Sequence, residues 1–169
     1  YAADMPKSFE DAKGYGWSIN GTPSFDWSDF IARKNAEIER LNGIYDGLLE
    51  KVGVTLHKGF ASFVDKNTLK VGDETITADK IVIAAGGTPR FMEVPGEELS
   101  VTSDGIFYLD KQPEHIVIVG AGYIGVEFAH IFHGMGSKVT LVHRGDKVLR
   151  GFDEDIRDKL QEDMRAQGI

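Results

Sequence analysis

The segment Gly120-Ala-Gly-Tyr-Ile-Gly125 constrains the fold of this 169-residue chain more than any other feature. It directly follows the apolar run 116–119, which predicts a buried strand, and it opens a stretch whose apolar residues recur at helical spacing. In such a context Gly120 allows a tight turn, Gly122 lets the backbone approach a pyrophosphate, and Gly125 lets helix and strand pack closely. The helix start adds free N–H groups and a partial positive charge. The pattern predicts a dinucleotide site; a glycine-rich turn without a ligand is the alternative.

The residues after this helix narrow the choice of nucleotide. A second strand at 139–142 and a charged helix at 153–167 complete a strand–helix–strand–helix order, which predicts a parallel crossover unit of an α/β fold. In an NAD site, an Asp or Glu at the end of the second strand holds the ribose 2′-hydroxyl. Here that position is His143, and Arg144 and Arg150 follow. A guanidinium suits a 2′-phosphate, so both arginines are predicted to bind NADPH; surface arginines without a ligand are the alternative.

The upstream half predicts a helix, a small antiparallel meander and another buried strand. Either Ser24 or Asp26 can cap the helix, whose apolar residues recur every three or four positions, and Gly53 ends it. Between residues 54 and 77, three short strands alternate with two turns, which predicts the meander. The run 80–85 is continuously apolar after Lys80, which predicts a strand covered on both faces.

Composition excludes several classes of protein. The chain has 19 basic and 27 acidic residues, a formal charge of −8 and no Lys/Arg block, which argues against nucleic acid or an anionic membrane as the main partner. The longest apolar run, 116–126, is far shorter than the ~20 residues of a membrane helix. Cysteine is absent, so this chain offers no disulfide framework and no thiol chemistry. His130 and His133 lie three residues apart, but without nearby carboxylates or thiols no metal site is expected.

Two stretches around the glycine segment match a known family. Residues 120–127 and 139–153 closely resemble the NADPH domain of the glutathione reductase family, which belongs to the FAD-dependent pyridine nucleotide-disulfide oxidoreductases. Upstream motifs follow in the family's order and spacing: Leu41-Asn-Gly-Ile-Tyr45, Lys58-Gly-Phe-Ala-Ser-Phe63, Ile81-Val-Ile-Ala-Ala-Gly-Gly-Thr-Pro89 and Thr102-Ser-Asp-Gly105. The resemblance implies that residues 1–110 form part of an FAD-binding domain and residues 111–169 the first half of an NADPH-binding domain.

The resemblance also implies a reaction and roles for individual residues. In this family NADPH reduces FAD, FAD reduces a cysteine pair, and that pair reduces glutathione disulfide. The residues implied to line the NADPH site are Ala121, Ile124, Glu127, Arg144 and Arg150, with Tyr123 lying over the nicotinamide pocket. From its position alone, Glu127 also fits a favourable partner of the helix dipole.

Three upstream residues are assigned by the resemblance to the flavin and the substrate. Ala61 is implied to contact the adenine of FAD through its backbone, and Gly86 to lie near the flavin. Tyr45 is implied to sit at the disulfide-substrate site, although its helical spacing fits a core tyrosine equally well.

The redox chemistry of the family is expected to lie outside this chain. The FAD-binding glycine fingerprint and the cysteine pair would precede Tyr1, and the interface domain with its catalytic His and Glu would follow Ile169. The chain is therefore expected to be a central fragment, inactive alone and without a catalytic residue, of a cytoplasmic homodimer. A trypanothione or mercuric reductase stays open, and a non-catalytic nucleotide-binding module is the alternative from another class.

Overall fold

The computed structural model describes all 169 residues and divides them into two compact units. Unit 1 comprises residues 1–30 and 103–169, and unit 2 comprises residues 31–102. The regular elements in chain order are α1 (Met5–Gly14), α2 (Trp27–Lys51), β1 (Ala61–Asp65), β2 (Thr68–Val71), β3 (Glu74–Thr77), β4 (His115–Val119), α3 (Tyr123–Gly134), β5 (Lys138–Val142) and α4 (Glu154–Gln167). This mixture of helix and sheet confirms the predicted α/β class.

Unit 1 contains the predicted strand–helix–strand arrangement. β4 and β5 pair in parallel, with Ile116 opposite Val139 and Val119 opposite Val142. A parallel pair needs a crossover connection, which α3 supplies. Eight hydrophobic residues are buried and form the core: Ile106, Val126, Ala129, Phe132, Val139, Val148, Leu149 and Met164.

Burial in unit 1 is less complete than the sequence predicts. Ile116 and Ile118 of β4 pack against the core, but Val117 and Val119 are 56% and 55% exposed, so the prediction that the whole strand is buried is wrong. The reason is that side chains alternate between the faces of a strand and the core lies against one face only. Ile131 belongs to the helical repeat of α3 but lies at its exposed edge.

The first turn of α2 is anchored on the core of unit 1. Asp26 Oδ1 accepts the N–H of Asp29 at 2.9 Å, which identifies Asp26, rather than Ser24, as the cap. Trp27 Nε1 donates to the Leu109 carbonyl at 2.7 Å, and the indole stacks on Phe132 with ring centroids 5.8 Å apart. The helix start is therefore held by both a hydrogen bond and aromatic packing.

Unit 2 contains the rest of α2 and the predicted antiparallel meander. α2 ends as predicted, because the N–H groups of Gly53 and Val54 bond back to carbonyls of its last turn at 3.0 Å each. The three strands β1, β2 and β3 pair in sequence order, with Leu69 of β2 opposite Phe63 on one side and Ile76 on the other. The meander is thus confirmed.

The run 80–85 forms no strand, so the prediction of a buried strand in this segment is wrong. It pairs with no other strand, and Val82 and Ile83 are 86% and 76% exposed. A strand needs a neighbour to satisfy its backbone N–H and C=O groups, and unit 2 supplies none for this segment. No residue of 31–102 is buried, so unit 2 has no core of its own.

The functional boundary at residue 110 stays a prediction. The division into units 1 and 2 follows the compactness of the chain. Compactness does not report which cofactor a segment binds, so it neither supports nor contradicts a boundary between FAD-binding and NADPH-binding parts.

Candidate nucleotide-binding site

The glycine loop joins β4 to α3 through a backbone that requires glycine at two positions. Gly120 has a φ of 110°, a left-handed value that residues with a side chain rarely adopt. Its N–H donates to the Val142 carbonyl at 2.8 Å, so the loop leaves β4 beside the end of β5. A Cβ on Gly125 would lie 2.1 Å from the carbonyl oxygen of Gly120, too close for any side chain. These geometries match the tight turn and the close packing predicted for the first and third glycines.

The start of α3 presents backbone donors to open space. Gly122 precedes the helix without a side-chain cap, and a Cβ there would meet no atom within 4 Å. The first backbone bond runs from the Val126 N–H to the Gly122 carbonyl at 3.0 Å, so the N–H groups of Tyr123, Ile124 and Gly125 have no acceptor in the chain. Free donors at the positive end of a helix, with room in front of them, fit a pyrophosphate.

The segment between β5 and α4, residues 143–153, carries the two predicted phosphate ligands and is called the arginine loop below. Arg144 and Arg150 are exposed, and neither guanidinium forms an ion pair. His143 is half-buried at the position where an NAD site has a carboxylate. The Leu149 N–H donates to the Ala121 carbonyl at 2.7 Å, which ties the residue before Arg150 to the glycine loop. Two unpaired guanidinium groups on a loop tied in this way fit a 2′-phosphate.

Two side chains of α4, which the sequence pattern did not single out, hold the arginine loop. Arg157 Nε donates to the Val148 carbonyl at 2.8 Å, and its Nη2 donates to the Lys147 carbonyl at 3.3 Å. Gln161 Oε1 accepts the Val148 N–H at 3.2 Å, and its Nε2 donates to the Asp146 carbonyl at 3.3 Å. The available sequence signal is the spacing of four between Arg157 and Gln161, which places both on one face of an otherwise charged helix.

The remaining cation of the arginine loop is neutralised by α4. Lys147 Nζ lies 2.7 Å from Asp158 Oδ1 and 3.1 Å from Glu154 Oε2. The hydrogen bonds to Asp158 and then Glu154 raise the pKa of Lys147, and the Lys147 ammonium lowers the pKa of Glu154. Arg144 and Arg150 are thus the cations of this loop that have no carboxylate partner within the chain.

The other residues assigned to the NADPH site surround the same loop and helix start. Ala121 is half-buried, while Tyr123 and Ile124 are 60% and 42% exposed. Glu127 is exposed on α3 and forms no ion pair. The exposure of Tyr123 agrees with a side chain that is free to cover a ligand. Its role and those of the other three residues stay predictions.

The residues assigned to FAD and substrate lie in unit 2 and all face solvent. Tyr45 on α2 is 63% exposed. Ala61 is the first residue of β1 and pairs with Val71. Gly86 has a φ of 70° and follows the unpaired run 80–85. Unit 2 by itself therefore shows no enclosed flavin site, and these three assignments stay predictions.

No group of three or more His, Cys, Asp or Glu side chains in the chain has a geometry that could hold a metal ion. Of the paired histidines of α3, His130 is engaged by its own helix, since its Nδ1 lies 2.9 Å from the Val126 carbonyl.

Comparison with known proteins places this arrangement in a family. The family model described as pyridine nucleotide-disulphide oxidoreductase matches residues 3–169. The chain belongs to this family. The glutathione reductase of Nostoc sp. is 50% identical over 169 residues, which are 100% of this chain and 37% of that relative. The chloroplastic/mitochondrial glutathione reductase of Pisum sativum is 44% identical over 154 residues, 91% of this chain and 28% of that relative.

A solved structure shows the same fold. The Cu(II) complex of the HOCl-induced flavoprotein disulfide reductase RclA from Escherichia coli superposes with a TM-score of 0.75 at 33% identity. The match covers 85% of this chain and 34% of that one. The chain thus spans about a third of the length of the proteins it matches.

Membership of the pyridine nucleotide-disulphide oxidoreductase family implies a flavin and a pyridine nucleotide as cofactors. The residues of unit 1 fit a pyridine nucleotide, because the unpartnered N–H groups of α3 and the unpaired arginines match its pyrophosphate and a 2′-phosphate. The residues assigned to the flavin in unit 2 are exposed and lie on separate segments of the chain.

Proposed function

We propose that this chain provides the nucleotide-binding part of a flavoprotein that uses NADPH to reduce glutathione disulfide to glutathione. Relatives named glutathione reductase are between 40% and 50% identical to it. The observation that carries the proposal is the pairing of unpartnered N–H groups at the start of α3 with two unpaired arginines on the loop bonded to the glycine turn.

Each part of this site has a distinct task toward the nucleotide. NADPH, when bound, supplies a hydride for reduction of the flavin. The N–H groups of residues 123–125 bind its pyrophosphate, and Arg144 and Arg150 bind its 2′-phosphate through charge-assisted hydrogen bonds. His143 stands where an NAD site has a carboxylate, so no negative side chain at this position repels the phosphate. Tyr123 covers the nicotinamide pocket, and Ala121, Ile124 and Glu127 complete its lining.

The flavin and the disulfide substrate engage the other unit. We assign Ala61 to the adenine of FAD, Gly86 to the flavin and Tyr45 to glutathione disulfide. The chain has no cysteine, so no thiol–disulfide exchange can take place on its own side chains. The chain alone is therefore a binding part, and turnover needs thiols from elsewhere.

Two other functions each have one observation in their favour. The likeness to the RclA structure favours a related NADPH-dependent disulfide reductase with another substrate, of the trypanothione or mercuric reductase type. The lack of cysteine favours a nucleotide-binding module without turnover of its own. The chimera described below separates these two functions, because only a related disulfide reductase retains NADPH oxidation with a substrate other than glutathione disulfide.

For the whole protein we propose a cytoplasmic homodimer that acts on neither nucleic acid nor membrane. The support is the family resemblance and the formal charge of −8. No helix combines the length and the apolar character required to cross a bilayer.

The function is tested by grafting the chain into a relative. In the Nostoc glutathione reductase, the 169 aligned residues are replaced by this chain, and the chimera is purified with its flavin. We expect NADPH-driven reduction of glutathione disulfide, with kcat/KM for NADPH exceeding that for NADH on the order of 10- to 100-fold, because two screened charge-assisted bonds distinguish the nucleotides. The double variant Arg144→Ala/Arg150→Ala should lose this preference while its NADH kinetics stay unchanged.

The matched control is Arg90→Ala/Arg165→Ala, which removes the same charge from exposed positions outside the loop. A flavin-loaded chimera that does not reduce glutathione disulfide would contradict the proposed substrate. Equal preference in both double variants would show that the loop arginines do not contact the nucleotide.

A further inference from the structure

We propose that Arg157 and Gln161 of α4 are positioning residues that set the preference for a 2′-phosphate by fixing the backbone of the arginine loop. The inference rests on the proposed function, since it concerns the same nucleotide site. Neither side chain is assigned to the ligand; both act through the backbone of residues 146–148.

The two side chains form hydrogen bonds with four backbone groups of residues 146–148. Arg157 donates to the carbonyls of Lys147 and Val148, at 3.3 and 2.8 Å. Gln161 accepts the N–H of Val148 at 3.2 Å and donates to the carbonyl of Asp146 at 3.3 Å. An arginine side chain only donates hydrogen bonds, whereas a glutamine side chain both donates and accepts them. To satisfy both side chains, the loop must present three carbonyls and one N–H at fixed places, which favours a single loop conformation.

The guanidinium that makes these bonds is itself held in place. The Arg157 side chain is 14% exposed, and its Nη1 bonds to the Glu154 carboxylate one turn away. A largely buried cation whose three guanidinium nitrogens each donate to an acceptor has little freedom to reorient. Arg157 is thus held in one orientation, whereas the Arg165 side chain on the same helix is exposed and forms no hydrogen bond or ion pair.

The clamped segment leads into an unusual backbone conformation. Leu149 follows Val148 with a φ of 52°, a left-handed value that is unfavourable for a branched side chain. In this conformation the Leu149 side chain is buried and its N–H reaches the Ala121 carbonyl at 2.7 Å. The next residue is Arg150. The direction of the Arg150 side chain therefore depends on how Arg157 and Gln161 hold residues 146–148, a set of bonds called the clamp below.

The consequence for specificity follows from geometry. An exposed arginine on a loose loop contributes little to a phosphate, since ordering its long side chain offsets most of the gain. Fixing the backbone up to Val148, two residues before Arg150, reduces that cost and directs the guanidinium toward one place. Loss of the clamp should therefore weaken recognition of the 2′-phosphate and leave binding at the α3 start unchanged.

The test compares two probes on the 169-residue chain by calorimetric titration: 2′,5′-ADP, which carries the 2′-phosphate, and 5′-ADP, which does not. The variants are Arg157→Met and Gln161→Met, the conservative variant is Arg157→Lys, and the control is Arg165→Met, which removes the same charge. Hydrogen exchange of the Leu149 amide is followed in each protein, because it reports on the clamp without any ligand.

We expect Arg157→Met to reduce the preference for 2′,5′-ADP about tenfold, the effect of one hydrogen bond to a charged group. Its Leu149 amide should exchange at least tenfold faster, and affinity for 5′-ADP should stay within twofold. Arg157→Lys, which keeps the charge but not the forked donors, should fall between wild type and Arg157→Met. Arg165→Met should match wild type in all three measurements.

If folded Arg157→Met keeps its preference for 2′,5′-ADP over 5′-ADP, this inference is wrong while the proposed function stands. The same holds if Arg157→Met loses equal affinity for both probes. If Arg157→Met does not fold by circular dichroism, Gln161→Met decides by the same criteria. Equal binding of the two probes by the wild-type chain would overturn the proposed function, and this inference with it.

Discussion

About half of each unit is helix or strand, but units 1 and 2 differ in what holds that structure together. All eight buried hydrophobic residues lie in unit 1, and none lies in unit 2, where the helix and the meander remain open to solvent. Helix ends and tight turns form in both units because they need only neighbouring residues. A core needs two layers that cover each other, and only unit 1 has them.

The same contrast appears in the candidate sites. In unit 1 the glycine loop, the arginine loop and α4 are connected by hydrogen bonds from Ala121 through Leu149 and Val148 to Arg157. In unit 2, Ala61, Gly86 and Tyr45 lie on separate exposed segments. The residues predicted to bind the nucleotide therefore lie on segments held by hydrogen bonds next to a core, whereas the residues predicted to contact flavin and substrate lie where no core supports them.

The largest expected effect compares the same substitution in the two units. Phe132 is 2% exposed and stacks on Trp27, whereas Phe63 of β1 is 53% exposed. Phe132→Ala should lower the free energy of unfolding of unit 1 by about 3–5 kcal/mol, because it leaves a cavity in the core. Phe63→Ala should lower the free energy of unfolding of unit 2 by less than about 1 kcal/mol. Hydrogen exchange in urea measures both effects, through the β4 amides for unit 1 and the β2 amides for unit 2, and equal effects would show that unit 2 is packed after all.

A smaller effect is expected where a single carboxylate supports a helix. Asp153 Oδ1 accepts the N–H groups of Asp155 and Ile156 at 3.1 and 3.3 Å, so it caps α4. Asp153→Ala should lower the free energy of unfolding of unit 1 by about 1 kcal/mol. The neighbouring control Asp155→Ala removes only a charge near the helix start and should cost a few tenths of a kcal/mol, about as much as such charges contribute. Thermal unfolding distinguishes the two, and indistinguishable melting temperatures would argue against the cap.

The smallest expected effect concerns two carboxylates whose pKa values are both lowered, for different reasons. The Lys147 ammonium lowers the pKa of Glu154 in unit 1, whereas the backbone N–H of Asn67 lowers the pKa of Asp65 in unit 2. In each case the carboxylate stabilises the folded chain above the ordinary carboxyl pKa, and this contribution is lost as the pH falls through the lowered value.

Salt should separate these two carboxylates. At 1 M salt, charges are screened over about 3 Å, so the pKa of Glu154 should rise toward its ordinary value while that of Asp65 stays low. Nuclear magnetic resonance titration of the side-chain carboxyl carbons at low and high salt gives both values. Lys147→Met should reproduce the salt effect on Glu154 alone; a parallel shift of Asp65 would contradict the assigned causes.

Much of the candidate site was predictable because it depends on short stretches of chain. The glycine pattern after an apolar run predicted the turn at Gly120 and the close approach at Gly125, since each follows from the conformational range of one residue. His143 followed by Arg144 predicted a phosphate site without a competing carboxylate. The contribution of Arg157 and Gln161 was not predictable in this way, because their partners are backbone groups, which every residue carries and no sequence pattern marks.

Local order along the chain was thus readable from residue types: where α2 begins and ends, the order of the meander strands, and the strand–helix–strand unit with its glycine turn. Each depends on dihedral preferences, caps and periodicity within a few neighbouring residues. Burial was not readable in the same way. An apolar run is buried only if another part of the chain lies against it, which holds for Ile116 and Ile118 but not for Val82 and Ile83. Hydrogen-bond partners and covering surfaces belong to pairs of distant segments, so only the folded chain decides which apolar strand is paired and which arginine becomes a clamp.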